Sequence, residues 1–262
     1  MIIIDKDRCI GCKLCAGDCL ANAIQFTGGK AEVFKRCFEC GHCVAVCPAD
    51  AVRFEGEEYN MSDVEPVGAG FGIDSETMLH AIKTRRSIRH FTGEKPGRQD
   101  LEMILEAARF SPTASNAQNV SYMIFTDETD ELNRIAMEEL RSYRDDSEAF
   151  AAVFPPPMTA RRVNFDDDNF LFKGAPAVVL TLSPNTVNAT IATANMELQA
   201  VSLGLGALYV GFFTRLAAKN DRLRAFLGLH DSDQVVTCLA IGRPAIQYRR
   251  TVPRKVSNTI WR

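Results

Sequence analysis

The sequence has no excess of positive charge, no long apolar run and no basic segment near its start. Its 30 Lys and Arg residues are outnumbered by 33 Asp and Glu residues, for a formal net charge of −3. That balance excludes bulk electrostatic attraction to nucleic acid or anionic lipid. The most apolar stretch, residues 198–213, is interrupted by Gln199, Ser202 and three glycines. It falls short of a membrane span, so we expect neither a nucleic-acid nor a membrane partner.

The first nine residues, MIIIDKDRC, place no basic region before their apolar run. This pattern predicts no secretory signal, and we expect a cytoplasmic protein. Cysteine is nearly absent from the long remainder of the chain after Cys47, which holds only Cys238. That thiol lies in the apolar segment VVTCLAIG and is expected to be a small core residue.

The other eight of the nine cysteines lie between positions 9 and 47. Disulfides rarely persist in a reducing cytoplasm, so this density favours a metal site. The spacing C-x2-C-x2-C-x3-C occurs twice, first at Cys9, Cys12, Cys15 and Cys19 and again at Cys37, Cys40, Cys43 and Cys47. The segments CLANAIQF (19–26) and CPADAVRF (47–54) extend the repeat at the same offset. Two half-units that build one small core are therefore predicted.

Three thiolates at i, i+3 and i+6 can wrap one corner of a cubane cluster, and the fourth cysteine of each run then reaches the other cluster. This predicts two [4Fe–4S] clusters, one held by Cys9, Cys12, Cys15 and Cys47 and the other by Cys37, Cys40, Cys43 and Cys19. The alternative is two four-cysteine zinc sites, which normally use paired C-x2-C knuckles. A third cysteine three residues further on is superfluous for zinc.

With this spacing, residues 1–56 closely resemble the bacterial two-[4Fe–4S] ferredoxins. Pro48 follows Cys47 as in those proteins, whereas Leu20 follows Cys19. The departure leaves the predicted ligands intact. The resemblance implies a domain that carries electrons one at a time.

The rest of the chain has a different organisation. We predict a linker over 57–74, rich in Gly, Glu and Asp, and a second domain over 75–262. Ser75 is predicted to cap a short helix with Met78, Leu79 and Ile82 on its apolar face. Further predicted helices lie at about 98–110, 188–203 and 219–227, and strands at 120–126, 177–182 and 235–242. This alternation predicts an α+β or α/β class with a central sheet. Residues 145–169 lack a clean period and are predicted to be an insertion or a lid.

Three patches in this region could bind an anionic, planar cofactor. They are Arg85-Arg86-Ser87-Ile88-Arg89, the loop at 111–118 (SPTASNAQ) and Pro253-Arg254-Lys255. Guanidinium forks and a hydroxyl can hold a phosphate. Taken singly, each patch has an ordinary explanation: a solvated helix end, a turn or a charged tail.

Together and in this order, the patches resemble the flavin-dependent nitroreductase family over about 75–262. GLGALYVGFF (204–213) and IGRP (241–244) complete the ordered set. The resemblance implies an α+β domain with a central, mostly antiparallel sheet flanked by helices, in a homodimer with FMN at the interface. Its FMN contacts would come from Arg85, Arg86, Ser87, Arg89 and Arg254, with the Val210-Gly211 peptide near flavin N5. Pro112, Thr113, Ala114 and Asn116 would reach the flavin from the partner subunit.

The sequence departs from that family where Gln118 is followed by Asn119-Val120, and residues 127–170 match nothing on the substrate side. No acid–base or nucleophile constellation is evident, because the four histidines are scattered. FMN would supply the redox chemistry.

We predict that electrons pass through the two clusters to FMN, which reduces a small acceptor such as a nitroaromatic, a quinone or an activated alkene. The donor is expected to be ferredoxin or NAD(P)H. One alternative is an NAD(P)H-driven flavoenzyme with the clusters as electron exit. The others are a non-catalytic electron-transfer or redox-sensing module, and a chain in which only the ferredoxin part functions. The absence of a G-x-G-x-x-G fingerprint does not separate them.

Overall fold

The computed structural model describes residues 1–68, 72–156 and 158–262, which divide into two compact units. The first comprises Met1–Gly72 and Ala114–Ala117, and the second comprises Ile73–Thr113 and Gln118–Arg262. Residues 69–71 of the predicted linker and residue 157 of the predicted insertion lie outside the described residues.

The first unit is built from two antiparallel strand pairs and two short helices. Strand β1 (Ile2–Ile4) pairs with β4 (Val52–Phe54), and β2 (Ile24–Thr27) pairs with β3 (Lys30–Val33). Helices α1 (Leu14–Gly17) and α2 (His42–Ala45) each carry one cysteine into the core. The buried residues of this core are Ile2, Cys9, Cys15, Ala31, Cys43, Ala51 and Val52.

The predicted repeat is confirmed in the backbone. Left-handed φ values recur at equivalent positions of the two cysteine runs, in the pairs Gly11 and Glu39, Lys13 and Gly41, and Asn22 and Asp50. Such values are uncommon for residues other than glycine. Their recurrence means that the two cysteine runs fold as two copies of one loop-and-helix unit.

The predicted linker begins with residues that pack on the first unit. The Tyr59 ring stacks on Phe54 with 4.0 Å between the ring centroids. A 3-10 turn over Met61–Asp63 follows, and the Asn60 side chain caps it by accepting from Ser62 N at 3.1 Å. The first compact unit thus continues beyond residue 56, while the domain bounds at 56 and 74 stay a prediction.

The second unit is organised around one four-stranded sheet. Its strands are β5 (Ser121–Phe125), β6 (Ala177–Leu182), β7 (Gly206–Tyr209) and β8 (Val235–Gly242). They lie in the order β5-β6-β8-β7, and every neighbouring pair is antiparallel. The predicted antiparallel central sheet is confirmed, and two of the predicted strands have the bounds given by the apolar runs.

Helices cover both faces of this sheet. They are α3 (Ser75–Thr84), α4 (Arg98–Arg109), α5 (Thr129–Arg141), α6 (Ser147–Val153), α7 (Thr186–Ser202), α8 (Gly211–Ala217) and α9 (Asp221–Phe226). Alternate residues of β6 point to opposite faces. Ala177 and Val179 join the core with α4 and α7, whereas Val178 and Leu180 join the core with α5 and α8.

The start of α3 corrects one prediction. The N-cap is Asp74 rather than Ser75, because the Asp74 side chain accepts from Thr77 N at 2.9 Å. A carboxylate at this position also interacts favourably with the helix dipole. The apolar residues Met78, Leu79 and Ile82 are more than 40% exposed, so this predicted face is not buried within the single chain.

The predicted insertion at 145–169 packs on the second unit through aromatic side chains. Phe150 and Phe154, in and just after α6, are buried, and their rings lie 6.5 and 5.5 Å from the ring of Phe212 in α8. A 3-10 turn follows over Ala160–Arg162. None of the described helices has the length and apolar character needed to cross a membrane.

Candidate functional site

The eight clustered cysteines divide into two groups around separate cavities. Cys9, Cys12, Cys15 and Cys47 line one cavity, and Cys19, Cys37, Cys40 and Cys43 line the other. Each encloses about 320 Å³ of space not filled by atoms, part of it open to solvent. The members of each group are those predicted to share one cluster, with the fourth cysteine of each run in the other run's group.

Backbone amides approach the sulfurs in a repeated pattern. Ala23 N donates to Cys19 Sγ at 3.3 Å, and Ala51 N donates to Cys47 Sγ at the same distance. These alanines are the equivalent residues of the two repeats. Hydrogen bonds to cluster sulfurs are among the features that set the reduction potential of iron–sulfur centres.

The sulfurs of each group act on one another electrostatically. Burial and the neighbouring sulfurs of Cys37 and Cys40 raise the pKa of Cys43 to about 11. Burial also raises the pKa of Cys15, and Cys12, Cys47 and Cys9 add to that effect. Neighbouring thiolates repel one another, and a bound cation such as the iron of a cluster would neutralise them.

Within the described ranges, no group of three or more Cys, His, Asp or Glu side chains is arranged to hold a single metal ion.

The basic segment after α3 lies beside the edge strand β7 of the sheet. Ser87 forms a parallel bridge with Ala207, and Ile88 N donates to Ala207 O at 2.9 Å. This approach needs a glycine in β7, because a Cβ on Gly206 would lie only 2.2 Å from Ile88 Cγ1. The contact holds the Arg85–Arg89 backbone near the strand that leads into Val210 and Gly211.

The guanidinium of Arg85 forms an ion pair with a buried carboxylate, which the sequence did not reveal. Its Nη1 lies 3.2 Å from Oε1 of Glu197, whose side chain is only 8% exposed. Burial raises the pKa of Glu197, while Arg85 acts in the opposite direction. The signal in the sequence was a lone acid within the apolar helix α7. The Arg85 guanidinium therefore already neutralises one carboxylate of the protein.

Arg86 retains unused hydrogen-bonding capacity at this place. Its Nη1 donates to Arg85 O at 2.6 Å and to Lys83 O at 2.9 Å. Its Nε is buried and has no hydrogen-bond partner within the described residues. A buried donor without a partner is costly, and an anionic oxygen would satisfy it. This orphaned donor fits a phosphate-bearing ligand.

The other predicted flavin contacts of the second unit differ in how far they are buried. Val210 is buried and precedes α8, and a Cβ on Gly211 would lie 2.9 Å from Met158 Cε. Arg89 is exposed and donates weakly to Ser87 O at 3.5 Å. Arg254 lies in an exposed segment without regular secondary structure.

The loop that follows α4 is tightly turned. Pro112 is exposed, and Thr113 Oγ1 accepts from Gln118 N at 3.0 Å. Ser115 and Asn116 both have left-handed φ values, of 52° and 53°. Ala114–Ala117 belong to the first compact unit, where Asn116 Nδ2 donates to Glu39 O at 2.9 Å. The sequence did not predict this contact with the turn between two cluster cysteines.

Comparisons with known proteins agree with this geometry. Residues 82–243, more than half of the chain, match the model of the Nitroreductase family. Residues 8–52 match the model of a 4Fe-4S dicluster domain. A curated protein of Archaeoglobus fulgidus, provisionally named NADH dehydrogenase/NAD(P)H nitroreductase, is 26% identical over 172 residues. The match spans 64% of this chain and 86% of that protein.

Solved structures agree on the fold of the second unit. A nitroreductase with bound FMN from Desulfitobacterium hafniense superposes with a TM-score of 0.56 and 23% identity. The match covers 70% of this chain and 97% of the Desulfitobacterium chain. A nitroreductase with bound FMN from Bacteroides fragilis gives a TM-score of 0.55 and 21% identity. This match covers 70% of this chain and 98% of the Bacteroides chain.

Proposed function

Because the chain belongs to the Nitroreductase family, we propose that it is an iron–sulfur flavoprotein that moves electrons through two [4Fe–4S] clusters to FMN. The observation that carries this proposal is the division of eight cysteines into two groups of four, each around its own cavity. Two such sites in one chain with a reductase domain would allow single electrons to be collected for the flavin. FMN, when bound, supplies the hydride and electron chemistry.

The residues that would hold FMN are those the sequence motifs single out. The buried Nε of Arg86 would donate to a phosphate oxygen, and Ser87 and Arg89 would add a hydroxyl and a second cation. Glu197 would orient Arg85 through their ion pair. Arg254, in an exposed segment, would supply a further cation to the phosphate. The Val210-Gly211 peptide would lie against the reactive part of the flavin.

A homodimer is part of the proposal. Helix α3 leaves Met78, Leu79 and Ile82 more than 40% exposed, and Trp261 near the end of the chain is 92% exposed. Apolar side chains gathered on one helix face are typical of an interface with another protein. In the proposed dimer, Pro112, Thr113, Ala114 and Asn116 would reach the FMN that the partner subunit holds.

The proposed reaction is reduction of a small acceptor such as a nitroaromatic, a quinone or an activated alkene. The proposed electron donor is a reduced ferredoxin. NAD(P)H is the second candidate, favoured by the name of the Archaeoglobus relative. In that case hydride enters at the flavin and the clusters become the electron exit. We propose a cytoplasmic location, consistent with eight clustered thiols.

An anaerobic absorbance titration tests the proposal. The purified protein is titrated with NADH, NADPH and reduced ferredoxin, and iron, sulfide and FMN are quantified on the same sample. We expect about eight iron and eight sulfide per chain, since each cubane holds four of each. Flavin bleaching by ferredoxin alone supports the proposed direction, and rapid bleaching by a nucleotide supports the second candidate. A preparation with full iron content and no flavin would overturn the function.

A further inference from the structure

The two cysteine runs of the repeat are alike in backbone but differ in charge. Gly11 and Glu39 occupy equivalent positions, and so do Lys13 and Gly41. The first run thus has a lysine where the second has a glycine, and the second has a carboxylate where the first has a glycine. Charge and hydrogen bonds around the sulfurs are among the features that set the potential of an iron–sulfur cluster.

Lys30 brings a further cation to the first run, and the fold fixes it there. Its Nζ donates to Cys9 O at 2.6 Å, and the residue is half-buried. The β2–β3 hairpin that carries it packs on the same turn, since a Cβ on Gly11 would lie 2.4 Å from Gly29 O. Neither Lys13 nor Lys30 forms an ion pair with a carboxylate in the part of the chain that the structure describes.

Other charged groups near the first run have partners of their own. Lys6 Nζ lies 3.4 Å from Glu32 Oε2, and Arg8 Nη2 lies 2.8 Å from Asp50 Oδ2. The Asp5 carboxylate accepts from the backbone amides of residues 7 and 8 at 2.9 and 3.2 Å. Lys30 is therefore left as a half-buried cation without a counter-charge beside a cysteine of the first run.

The carboxylate of the second run is paired. Glu39 Oε2 accepts from Tyr59 OH at 2.9 Å, and the ammonium group of Met1 lies 3.6 Å from Glu39 Oε1. This ion pair compensates the Glu39 charge. The second turn therefore has no uncompensated cation to match Lys30.

The cations nearest the second run in sequence lie in water. Lys35 and Arg36 precede Cys37, and both are exposed. Water and salt screen charges in such places. Among the residues described, no lysine amine donates to Cys37 O, the equivalent of Cys9 O.

Backbone amides do not favour the first group of sulfurs over the second. In each group two sulfurs accept a hydrogen bond from an amide. These bonds are Ala31 N to Cys9 Sγ at 3.5 Å and Ala51 N to Cys47 Sγ at 3.3 Å in the first group, and Ala23 N to Cys19 Sγ at 3.3 Å and Glu39 N to Cys37 Sγ at 3.2 Å in the second. The difference between the groups is therefore one of charge.

We infer that the two clusters of the proposed function differ in reduction potential, and that the cluster held by Cys9, Cys12, Cys15 and Cys47 is reduced first because Lys30 raises its potential. Reduction adds one electron, and therefore one negative charge, to a cluster. A fixed, half-buried cation stabilises that reduced state. The first electron that the chain accepts from reduced ferredoxin, which is oxidised in turn, then resides at equilibrium on this cluster. The inference rests on the proposed function, which supplies the two clusters.

An anaerobic redox titration followed by EPR tests the order of reduction. Cys12 and Cys40 are exposed and occupy equivalent positions of the repeat, so Cys12→Ser and Cys40→Ser each alter one cluster and assign its signal. We expect the higher midpoint of the wild type to be the one that Cys12→Ser alters. A single shared midpoint, or a higher midpoint that Cys40→Ser alters instead, overturns the inference.

Charge variants test the role of Lys30 in the same titration, with iron and sulfide quantified for each. Lys30→Met removes the charge, and Lys30→Gln removes it but keeps a hydrogen-bond donor. Both should make reduction of the first cluster about tenfold less favourable, which is about 59 mV for one electron, and should shift the second midpoint less. Lys30→Arg keeps the charge and should keep the midpoint.

Lys35→Met is the matched control, because it removes an exposed lysine near Cys37. It should shift both midpoints by less than Lys30→Met shifts the first. An unchanged first midpoint in Lys30→Gln at full iron content, or equal shifts of both midpoints, removes Lys30 from this role.

The two levels of the proposal fail in distinguishable ways. A protein without FMN, or with iron for fewer than two clusters, contradicts the proposed function. A protein with FMN and two clusters whose midpoints coincide, or lie in the reverse order, contradicts only the inference about Lys30.

Discussion

The close approach of Ile88 to Gly206 gives a sharp test of how the basic segment is positioned. In Gly206→Ala, the new Cβ would lie 2.2 Å from Ile88 Cγ1 and 3.0 Å from Pro244 Cγ. Ordinary van der Waals contact begins near 3.4 Å, so Ile88 or the β7 backbone must shift to relieve the overlap. Ile88 is buried, and its backbone amide is bonded to Ala207, so it cannot turn out to solvent.

The expected cost follows from this overlap. Overpacking of a core site destabilises by about 1–3 kcal/mol. Replacing a strand glycine by alanine returns about 0.5–1 kcal/mol. The net loss should therefore lie between about 0 and 2.5 kcal/mol, and each kcal/mol lowers the Tm of a domain of this size by about 2–4 °C. Because Arg86 and Arg89 move with Ile88, FMN content should fall as well.

Calorimetry of the anaerobic protein and the FMN-to-protein ratio measure the two effects. The control is Ile88→Ala, alone and combined with Gly206→Ala, because it removes the Cγ1 atom that the new Cβ meets. The double variant should lose less stability than the sum of the single variants. Strict additivity, or a Gly206→Ala protein with unchanged Tm and FMN content, would refute the reasoning.

Further predictions concern the cofactors and the titration of one tyrosine. Arg86→Ala and Arg254→Ala should each reduce the retained FMN at constant iron content, and unchanged FMN in either would remove that residue from the site. Tyr209 is 39% exposed, and the partial burial of its side chain raises its pKa to about 12 from 10.0, with Glu197 adding to the effect. The stability that this tyrosine contributes in its protonated form is therefore complete below the ordinary tyrosine pKa and is lost as the pH rises through the raised pKa. The free energy of unfolding, measured at stepped alkaline pH for the wild type and Tyr209→Phe, would show this loss in the wild type only.

The local features of the fold were predictable from the sequence because they depend on neighbouring residues. The apolar runs at 177–182 and 235–242 form strands with the predicted bounds, since a strand buried on both faces needs an unbroken apolar segment. The cap of α3 was misplaced by one residue, because Asp74 and Ser75 are both good capping residues and only backbone geometry separates them.

The grouping of the cysteines also came from the sequence. The spacing i, i+3, i+6 and the constant offset between the two runs predicted two sets of four, and the structure places each set around its own cavity. The ligand roles of these sulfurs remain a prediction that iron analysis tests.

Contacts between distant residues were decided by the tertiary structure alone. Glu197 meets Arg85 across 112 positions, and Asn116 meets Glu39 across 77. No spacing or motif in the sequence predicts either pair, because the packing of whole elements brings the partners together. Composition and periodicity indicated which segments form strands, helices and turns. Only the folded backbone determines which charge pairs with Arg85 and which cysteine turn the 114–117 loop contacts.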